Sequence, residues 1–105
     1  MSTEKEKASR RIRSLENTIR QLNTKIEGDK EEIAFYDKLI PLLQNILRND
    51  EYVRYSPEVQ NSLKNVIANL KMAKEGEEKE IKTEEETKKL LQRLLITYQA
   101  NYDWV

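Results

Sequence analysis

The residues of this chain that could take part in chemistry are carboxylates, cations and aromatic side chains. Histidine and cysteine are absent from its 105 residues, which removes the commonest general base and the thiolate ligands of metal sites. Paired glutamates occur at Glu31-Glu32, Glu77-Glu78 and within residues 84–86. Helix-bundle metal sites usually combine such carboxylates with histidine. We therefore expect solvated acidic faces, and predict no catalytic residue, metal, cofactor or enzymatic activity.

Cations are concentrated near the N-terminus. The candidate nucleic-acid contacts are four arginines: Arg10, Arg11, Arg13 and Arg20. A basic arm leading into a heptad helix is one layout used to bind DNA, although the chain as a whole has 19 basic and 19 acidic residues and no net charge. The alternative is a solvated helix end that pairs with the acidic segment 77–86 of the same or a neighbouring chain.

Aromatic side chains are concentrated near the C-terminus, where Tyr98, Tyr102 and Trp104 fall within seven residues. Tyrosine and tryptophan bury a large area and keep a polar group, which suits them to interfaces. One hypothesis is a docking surface for another protein. A second is that the three side chains close the open end of a helix bundle, and a third is an interfacial membrane helix.

The first half of the chain carries a heptad pattern. The first apolar series consists of Ile12, Ile19, Ile26, Ile33, Ile40 and Leu47, and the second consists of Leu15, Leu22, Tyr36 and Leu43, interrupted by Asp29. Two such series over about five heptads are typical of a coiled-coil helix. The heptad phase is the same on both sides of Gly28 and Pro41, so we predict one helix that tolerates the glycine and kinks or breaks near the proline.

The second half begins with a helix-start signal, because Ser56 is a good N-cap and Pro57 suits the first helical position. Apolar spacing follows at Leu63, Val66, Leu70 and Ala73, lapses over residues 74–89, and returns at Leu91, Leu94 and Tyr98. The sequence predicts an all-α fold, a long antiparallel helical hairpin of coiled-coil type with helices at about 5–48 and 57–99. The alternative is four shorter helices broken at Gly28 and Gly76.

The two halves resemble each other at an offset of 48 residues. SLENTIRQL, residues 14–22, matches SLKNVIANL, residues 62–70, and 13 of 34 aligned pairs are identical. We infer an internal duplication within a single helical domain, 1–105, with units 8–49 and 57–99 joined by 50–56. In the hairpin Leu43 is expected near Leu63. Gly28 is expected close to Gly76, where small residues would let the backbones approach.

The hairpin places part of the first helix against an unsuitable partner. In that register Ile19, Leu22 and Ile26 approach the acidic segment 77–87. They belong to an apolar stripe that consists of Ile12, Leu15, Ile19, Leu22 and Ile26. Buried Ile or Leu side chains contribute roughly 1.5–3 kcal/mol each, so leaving them against glutamates is costly. We therefore predict that this stripe mediates self-association, giving a dimeric four-helix bundle.

These patterns predict a non-enzymatic protein that acts through helix-face contacts and self-association, as an adaptor, assembly factor or regulatory protein. The alternative function is a dimeric nucleic-acid-binding or regulatory protein that uses the basic arm. The expected partners are a second copy, then another protein or a nucleic acid. No apolar run approaches the roughly 18 residues of a membrane span. We expect a cytoplasmic location, because the charged N-terminus has no secretory signal.

Overall fold

The computed structural model describes residues 3–102, which form two long helices and a short one. Helix α1 spans Glu4–Asn49 and helix α3 spans Pro57–Tyr102, each with 46 residues. Helix α2, Glu51–Arg54, lies between them in the chain. No β-strand occurs within the described residues. The predicted all-α helical hairpin is therefore confirmed, with helix bounds within a few residues of those expected.

A capping box begins α1, a feature that the heptad analysis did not predict. The backbone N–H of Glu6 donates to Thr3 Oγ1 at 3.1 Å, and the backbone N–H of Thr3 donates to Glu6 Oε2 at 3.3 Å. These reciprocal bonds satisfy two amide groups that a helix N-terminus otherwise leaves without partners. The Thr-x-x-Glu spacing is visible in the sequence.

The connection between the long helices is held by side-chain hydrogen bonds. Ser56 Oγ accepts from the backbone N–H of Val59 at 3.4 Å, which confirms the predicted N-cap of α3. The side chain of Gln60 donates to the carbonyls of Val53 and Arg54 at 3.1 and 2.8 Å, linking α3 to the end of α2. Val53 is buried. Since α2 is anchored in this way, the connection is an ordered turn.

The three candidate helix breakers all lie inside helices. Helix α1 includes both Gly28 and Pro41, and α3 includes Gly76. Neither glycine has a positive φ. The alternative of four shorter helices is therefore wrong, and α1 does not break at Pro41. For α1 the unchanged heptad phase on both sides of Gly28 and Pro41 had predicted this continuity, because a turn would have reset it.

The chain divides into two compact units, each of which takes a part of both long helices. Unit 1 contains the part of α1 up to Gly28 and the part of α3 from Ile81, whereas unit 2 comprises Asp29–Glu80. The two helical segments run antiparallel in each unit. In unit 1, Arg11 contacts Tyr98 and Lys25 contacts Glu84. In unit 2, Glu32 meets Glu77 and Asp37 meets Lys74, so numbers rise in α1 as they fall in α3.

The apolar seam of α1 follows the predicted heptad. The first series, from Ile12 to Leu47, occupies heptad position a, and the second, from Leu15 to Leu43, occupies position d. All of these side chains are half-buried or buried, with Ile26 and Ile40 among the least exposed. Asp29, which interrupts the d series, is also buried. The sequence alone therefore identified the face of α1 that packs against α3.

The seam of α3 differs from the prediction by one residue at alternate positions. Ile67 is 6% exposed whereas Val66 is 45% exposed, and Leu95 is more buried than Leu94. Val66 and Ala73 therefore do not belong to the seam. The prediction and the structure share one series, which includes Leu63, Leu70, Leu91 and Tyr98. The second series lies one residue later in the structure than predicted. In the structure the seam of α3 consists of side chains that are buried or half-buried: Leu63, Ile67, Leu70, Lys74, Glu77, Ile81, Glu84, Lys88, Leu91, Leu95, Tyr98 and Tyr102.

The register of the hairpin also differs from the expected one, which placed Leu43 beside Leu63. In unit 2 the ion pair between Lys74 and Asp37 measures 2.6 Å. Counting along both helices from this pair places Leu43 level with residues near 68, about one helical turn from the expected partner. The shift follows from α2, because the chain reverses at the end of this extra helix and not at the centre of residues 49–56.

Neither glycine marks a close approach of the helices. A β-carbon built at Gly28 or Gly76 would meet no atom within 4 Å, so the expectation that small residues there permit close backbone packing is wrong. Both residues are tolerated within helices, where glycine costs up to about 1 kcal/mol relative to alanine.

We predict that Gly28→Ala and Gly76→Ala each stabilise the protein by about 0.5–1 kcal/mol, because alanine restricts the unfolded chain and meets no steric conflict in the helix. Thermal unfolding followed by circular dichroism measures the change. Ala68→Gly, at an exposed position in α3, is the matched control and should destabilise by a similar amount. A loss of stability in either Gly→Ala variant would contradict the open environment of that glycine.

Candidate functional site

The most basic part of the chain is formed by two helical segments of unit 1. Residues 3–20 of α1 and 88–102 of α3, called here the basic end, contain nine basic and three acidic side chains. The α3 segment contributes Lys88, Lys89 and Arg93 and has no acidic residue. From the sequence, the basic arm was expected on α1 alone. The antiparallel pairing of the helices adds these three cations.

Two of the cations lie over tyrosine rings. The Cζ atom of Arg11 is 5.7 Å from the centroid of the Tyr98 ring, and Lys5 Nζ is 5.0 Å from that of Tyr102. Such cation–π contacts contribute about 0.5–1 kcal/mol at exposed sites. The basic arm and the C-terminal aromatics, which the sequence presents as separate candidate sites, therefore meet in one place. Trp104, the third aromatic candidate, lies outside the described residues.

The remaining candidate arginines point into solvent. Arg10 and Arg13 line an open groove of about 600 Å³ together with Lys5, Ser9 and Tyr102. Arg20 is exposed and donates from Nη1 to Asn17 Oδ1 at 3.4 Å. The basic helix end was expected to pair with the acidic segment 77–86. In the structure it is Lys25 that contacts this segment, with Nζ 3.2 Å from Glu84 Oε1.

The five residues proposed for self-association lie on the seam that α1 presents to α3. Ile26 is 4% exposed, and the other four, Ile12, Leu15, Ile19 and Leu22, are half-buried. The stripe lies between two contacts of unit 1, Arg11 with Tyr98 and Lys25 with Glu84. Most of it therefore lies level with residues 84–98, a stretch that includes apolar side chains. Fewer apolar residues of the stripe therefore lie beside the acidic segment 77–87 than in the register expected from the sequence.

An acidic cluster lies on the seam of unit 2. One carboxylate oxygen from each of Asp29, Glu32 and Glu77 lies within 4.8 Å of the others. Asp29 is buried, Glu77 is half-buried and Glu32 is exposed. From the sequence, the paired glutamates were expected to form solvated faces. The visible signal for this cluster was the interruption of the α1 heptad at Asp29.

Electrostatics in this cluster favour a protonated carboxyl. Desolvation, a hydrogen bond with Glu32 and the negative charges of Glu32, Asp29 and Glu80 raise the pKa of Glu77 from 4.5 to about 7. One oxygen of Glu77 is buried without a hydrogen-bond partner among the described residues. Closely spaced carboxylates resist simultaneous ionisation, because each negative charge raises the free energy of the next.

The two sides of unit 2 that flank the seam differ in polarity. On one side, Lys74 contacts Asp37 at 2.6 Å and Glu78 at 3.8 Å, and the hydrogen bond with Asp37 raises the pKa of Lys74. The opposite side is called here the outer apolar face. Counting Ile40 of α1 and Ile67 of α3 as heptad a positions, its apolar side chains occupy positions c and g. They are Phe35, Leu39, Leu42 and Ile46 of α1 and Val59, Val66 and Ala73 of α3. The α1 part of this face was not predicted from the sequence.

No family model, curated protein or solved structure matches this chain. Within residues 3–102, every helix is too polar along its length to provide a membrane-crossing segment. Because no matching protein suggests a function, the inference depends on the basic end, the acidic cluster and the outer apolar face.

We predict that the unfolding free energy falls as pH rises from about 4.5 to about 7, owing to Glu77. Because its pKa is higher in the folded than in the unfolded chain, the folded state binds more protons across this window and is favoured at the lower pH. Glu77→Gln should flatten this part of the profile and raise the melting temperature at pH 8.

The control for this experiment is Glu75→Gln, which removes the same charge from an exposed position of the same helix. Thermal melts at several pH values would compare the variants. A wild-type profile that Glu77→Gln leaves unchanged would contradict the role of the cluster.

Proposed function

We propose that this chain is a non-enzymatic interaction and assembly protein that acts through helix faces and associates with a second copy of itself. The observation that supports the proposal is the outer apolar face of unit 2, which the hairpin leaves in contact with water. Large exposed apolar patches on soluble proteins commonly mark interaction sites.

Exposure of the side chains on this face is high. On α1, Phe35 is 60% and Leu42 is 56% exposed. On α3, Val59 and Val66 are 36% and 45% exposed. Their spacing places them on the same side as Leu39 and Ile46, which are half-buried. Both helices thus contribute to one surface.

Charge is absent from the same surface. The c and g positions from residue 35 to 49 of α1 and from 59 to 76 of α3, all of them described, hold only apolar, small or uncharged polar residues. Charged residues make up 36% of the chain, so a charge-free stretch across two helices is a marked departure. An acidic or basic partner would gain nothing from this face, whereas an apolar, uncharged partner would fit it.

A second copy of the chain meets this requirement. A two-helix coiled coil needs apolar residues at a and d alone, but helices in a bundle core carry an additional apolar position at e or g. In unit 2 the extra position is g on both helices. Two hairpins joined by a two-fold axis at this face would form a self-complementary interface with a four-helix core.

The thin core of the hairpin supports the same proposal. In unit 2 the buried apolar residues are Ile40, Val53 and Ile67, and no large side chain among the described residues is fully buried. Each long helix has one long neighbour, so its apolar stripe is covered on one side only. Pairing of two hairpins would remove further apolar area from water, at about 25 cal/mol per Å².

We predict that the wild-type chain sediments as a dimer at micromolar concentration and that Phe35→Glu with Leu42→Glu shifts it to a monomer. Both positions are exposed, so the charges should cost little in the isolated hairpin but would be buried in the dimer. Analytical ultracentrifugation gives the mass, and circular dichroism checks that helicity is retained.

Ala34→Glu is the matched control, since it adds a charge at an exposed neighbouring position outside the face. It should leave the dimer intact. A folded wild-type monomer at micromolar concentration would refute self-association. A dimer that persists in the Phe35/Leu42 variant would place the interface elsewhere, with the stripe from Ile12 to Ile26 as the next candidate.

A further inference from the structure

The basic end lies in unit 1 and shares no residue with the outer apolar face, which belongs to unit 2. Its cations come from two helices that the sequence separates by about seventy residues. Five of the nine are arginines: Arg10, Arg11, Arg13, Arg20 and Arg93. The remaining four are Lys5, Lys7, Lys88 and Lys89.

Cations of the two helices lie at the same level along the hairpin of unit 1. Because Lys25 contacts Glu84, Arg20, five residues earlier in α1, lies level with Lys88 and Lys89 of α3. The contact of Arg11 with Tyr98 gives the same direction of pairing farther along. Cations of α1 and α3 therefore lie at the same levels along the two paired segments.

Few negative charges compensate these cations. The acidic residues of the basic end are Glu4, Glu6 and Glu16, all on α1. Glu4 pairs with Lys7 at 3.5 Å, and Glu6 takes part in the capping box. Arg10 and Arg13 make no ion pair with another residue of the described range 3–102. The net positive charge is thus presented to solvent.

Arginine is suited to phosphate because its planar guanidinium can donate two parallel hydrogen bonds to one phosphate group. Tyr98 and Tyr102 each hold one cation over a ring, which limits the conformational freedom that those side chains would lose on binding. A ligand with several phosphates in a row could contact cations on both helices at once.

We propose that the basic end binds the phosphate backbone of nucleic acid through cations of both α1 and α3, independently of base sequence. Binding of this kind is governed by the release of counterions from the phosphates and by the number of neutralised charges.

A membrane surface fits these observations less well. An interfacial helix needs one continuous apolar face beside its cations. Over residues 3–25 of α1 the large apolar side chains are half-buried on the seam. On α3 the exposed Leu90 and Leu94 share one side of the helix, but Ile96 lies on another, since two residues turn the helix by about 200°. The polar surface of α1 and the arginine content favour nucleic acid.

The experiment measures binding of fluorescent duplex DNA and single-stranded DNA by anisotropy at several salt concentrations. The wild-type chain should bind in low salt, with log affinity falling linearly against log salt by about 0.9 per neutralised phosphate on the duplex. Arg13→Gln with Arg20→Gln should weaken binding about tenfold and reduce the slope by about two. Lys89→Gln with Arg93→Gln, at exposed positions of the other helix, should have a similar effect.

Lys64→Gln with Lys71→Gln is the matched control, because it removes two exposed lysines from unit 2 and should leave binding nearly unchanged. Circular dichroism must show the same helicity in all variants. Vesicles of anionic phospholipid form a parallel arm. Absence of binding to either DNA in low salt, an equal loss in the control, or binding to vesicles alone would overturn the proposal.

The same measurement on the Phe35/Leu42 variant separates the two proposals. If that variant is monomeric and still binds DNA with a reduced salt slope per particle, both stand. If the wild-type chain binds DNA but is monomeric, the basic end stands and self-association fails. If it dimerises without binding DNA, the reverse holds.

Discussion

The rest of the structure depends on the single seam between the two long helices. A helix with one long neighbour can bury only the narrow stripe of a and d residues that faces it. Within residues 3–102 the buried apolar side chains are Ile26, Ile40, Val53 and Ile67, which is a small core for helices of 46 residues. Every additional polar group on the seam therefore affects stability more than it would in a thick core.

Polar side chains on the seam specify the pairing of the helices at some cost in stability. In unit 1 the buried Glu84 contacts Lys25, and in unit 2 Lys74 contacts Asp37. Breaking the contact of Lys25 with Glu84 removes a cation from a buried carboxylate, so a slipped register would be penalised in unit 1 even where the apolar stripes tolerate it. Lys74 and Asp37 are more exposed, so their pair contributes less to the choice of alignment.

The acidic cluster of unit 2, in contrast to the ion pairs, disfavours the packing of α1 against α3 when its carboxyl groups are ionised. Glu77 sits beside Glu32 and Asp29, and its pKa of about 7 reflects the cost of placing a charge there. Natural sequences that keep such local conflicts often do so for a function. The outer apolar face of the same unit is a second conflict, since it exposes Phe35 and Leu42 to water. Association with a second copy through this face would remove Phe35 and Leu42 from water, whereas the repulsion within the acidic cluster would remain.

The sequence determined the helices, because helix formation depends on local pattern and on caps. The heptad of α1 predicted its buried face correctly across Gly28 and Pro41, and Ser56 marked the start of α3. The similarity of the two halves supports an internal duplication, which remains a prediction. The absence of histidine and cysteine was visible from composition, whereas the positions of charged groups relative to one another were not.

Tertiary structure decided the phase of α3, the register and the composition of each candidate site. Val66 and Ile67 are both apolar neighbours in sequence, and only packing against α1 selected Ile67 for the seam and left Val66 outside. The extra helix α2 shifted the register by about one turn, which moved residues 84–98 beside the stripe that begins at Ile12. The same pairing brought Arg11 to Tyr98 and added Lys88 and Lys89 to the basic end. These features involve residues far apart in the chain, so local patterns could suggest the parts but only the packed helices determined which of them meet.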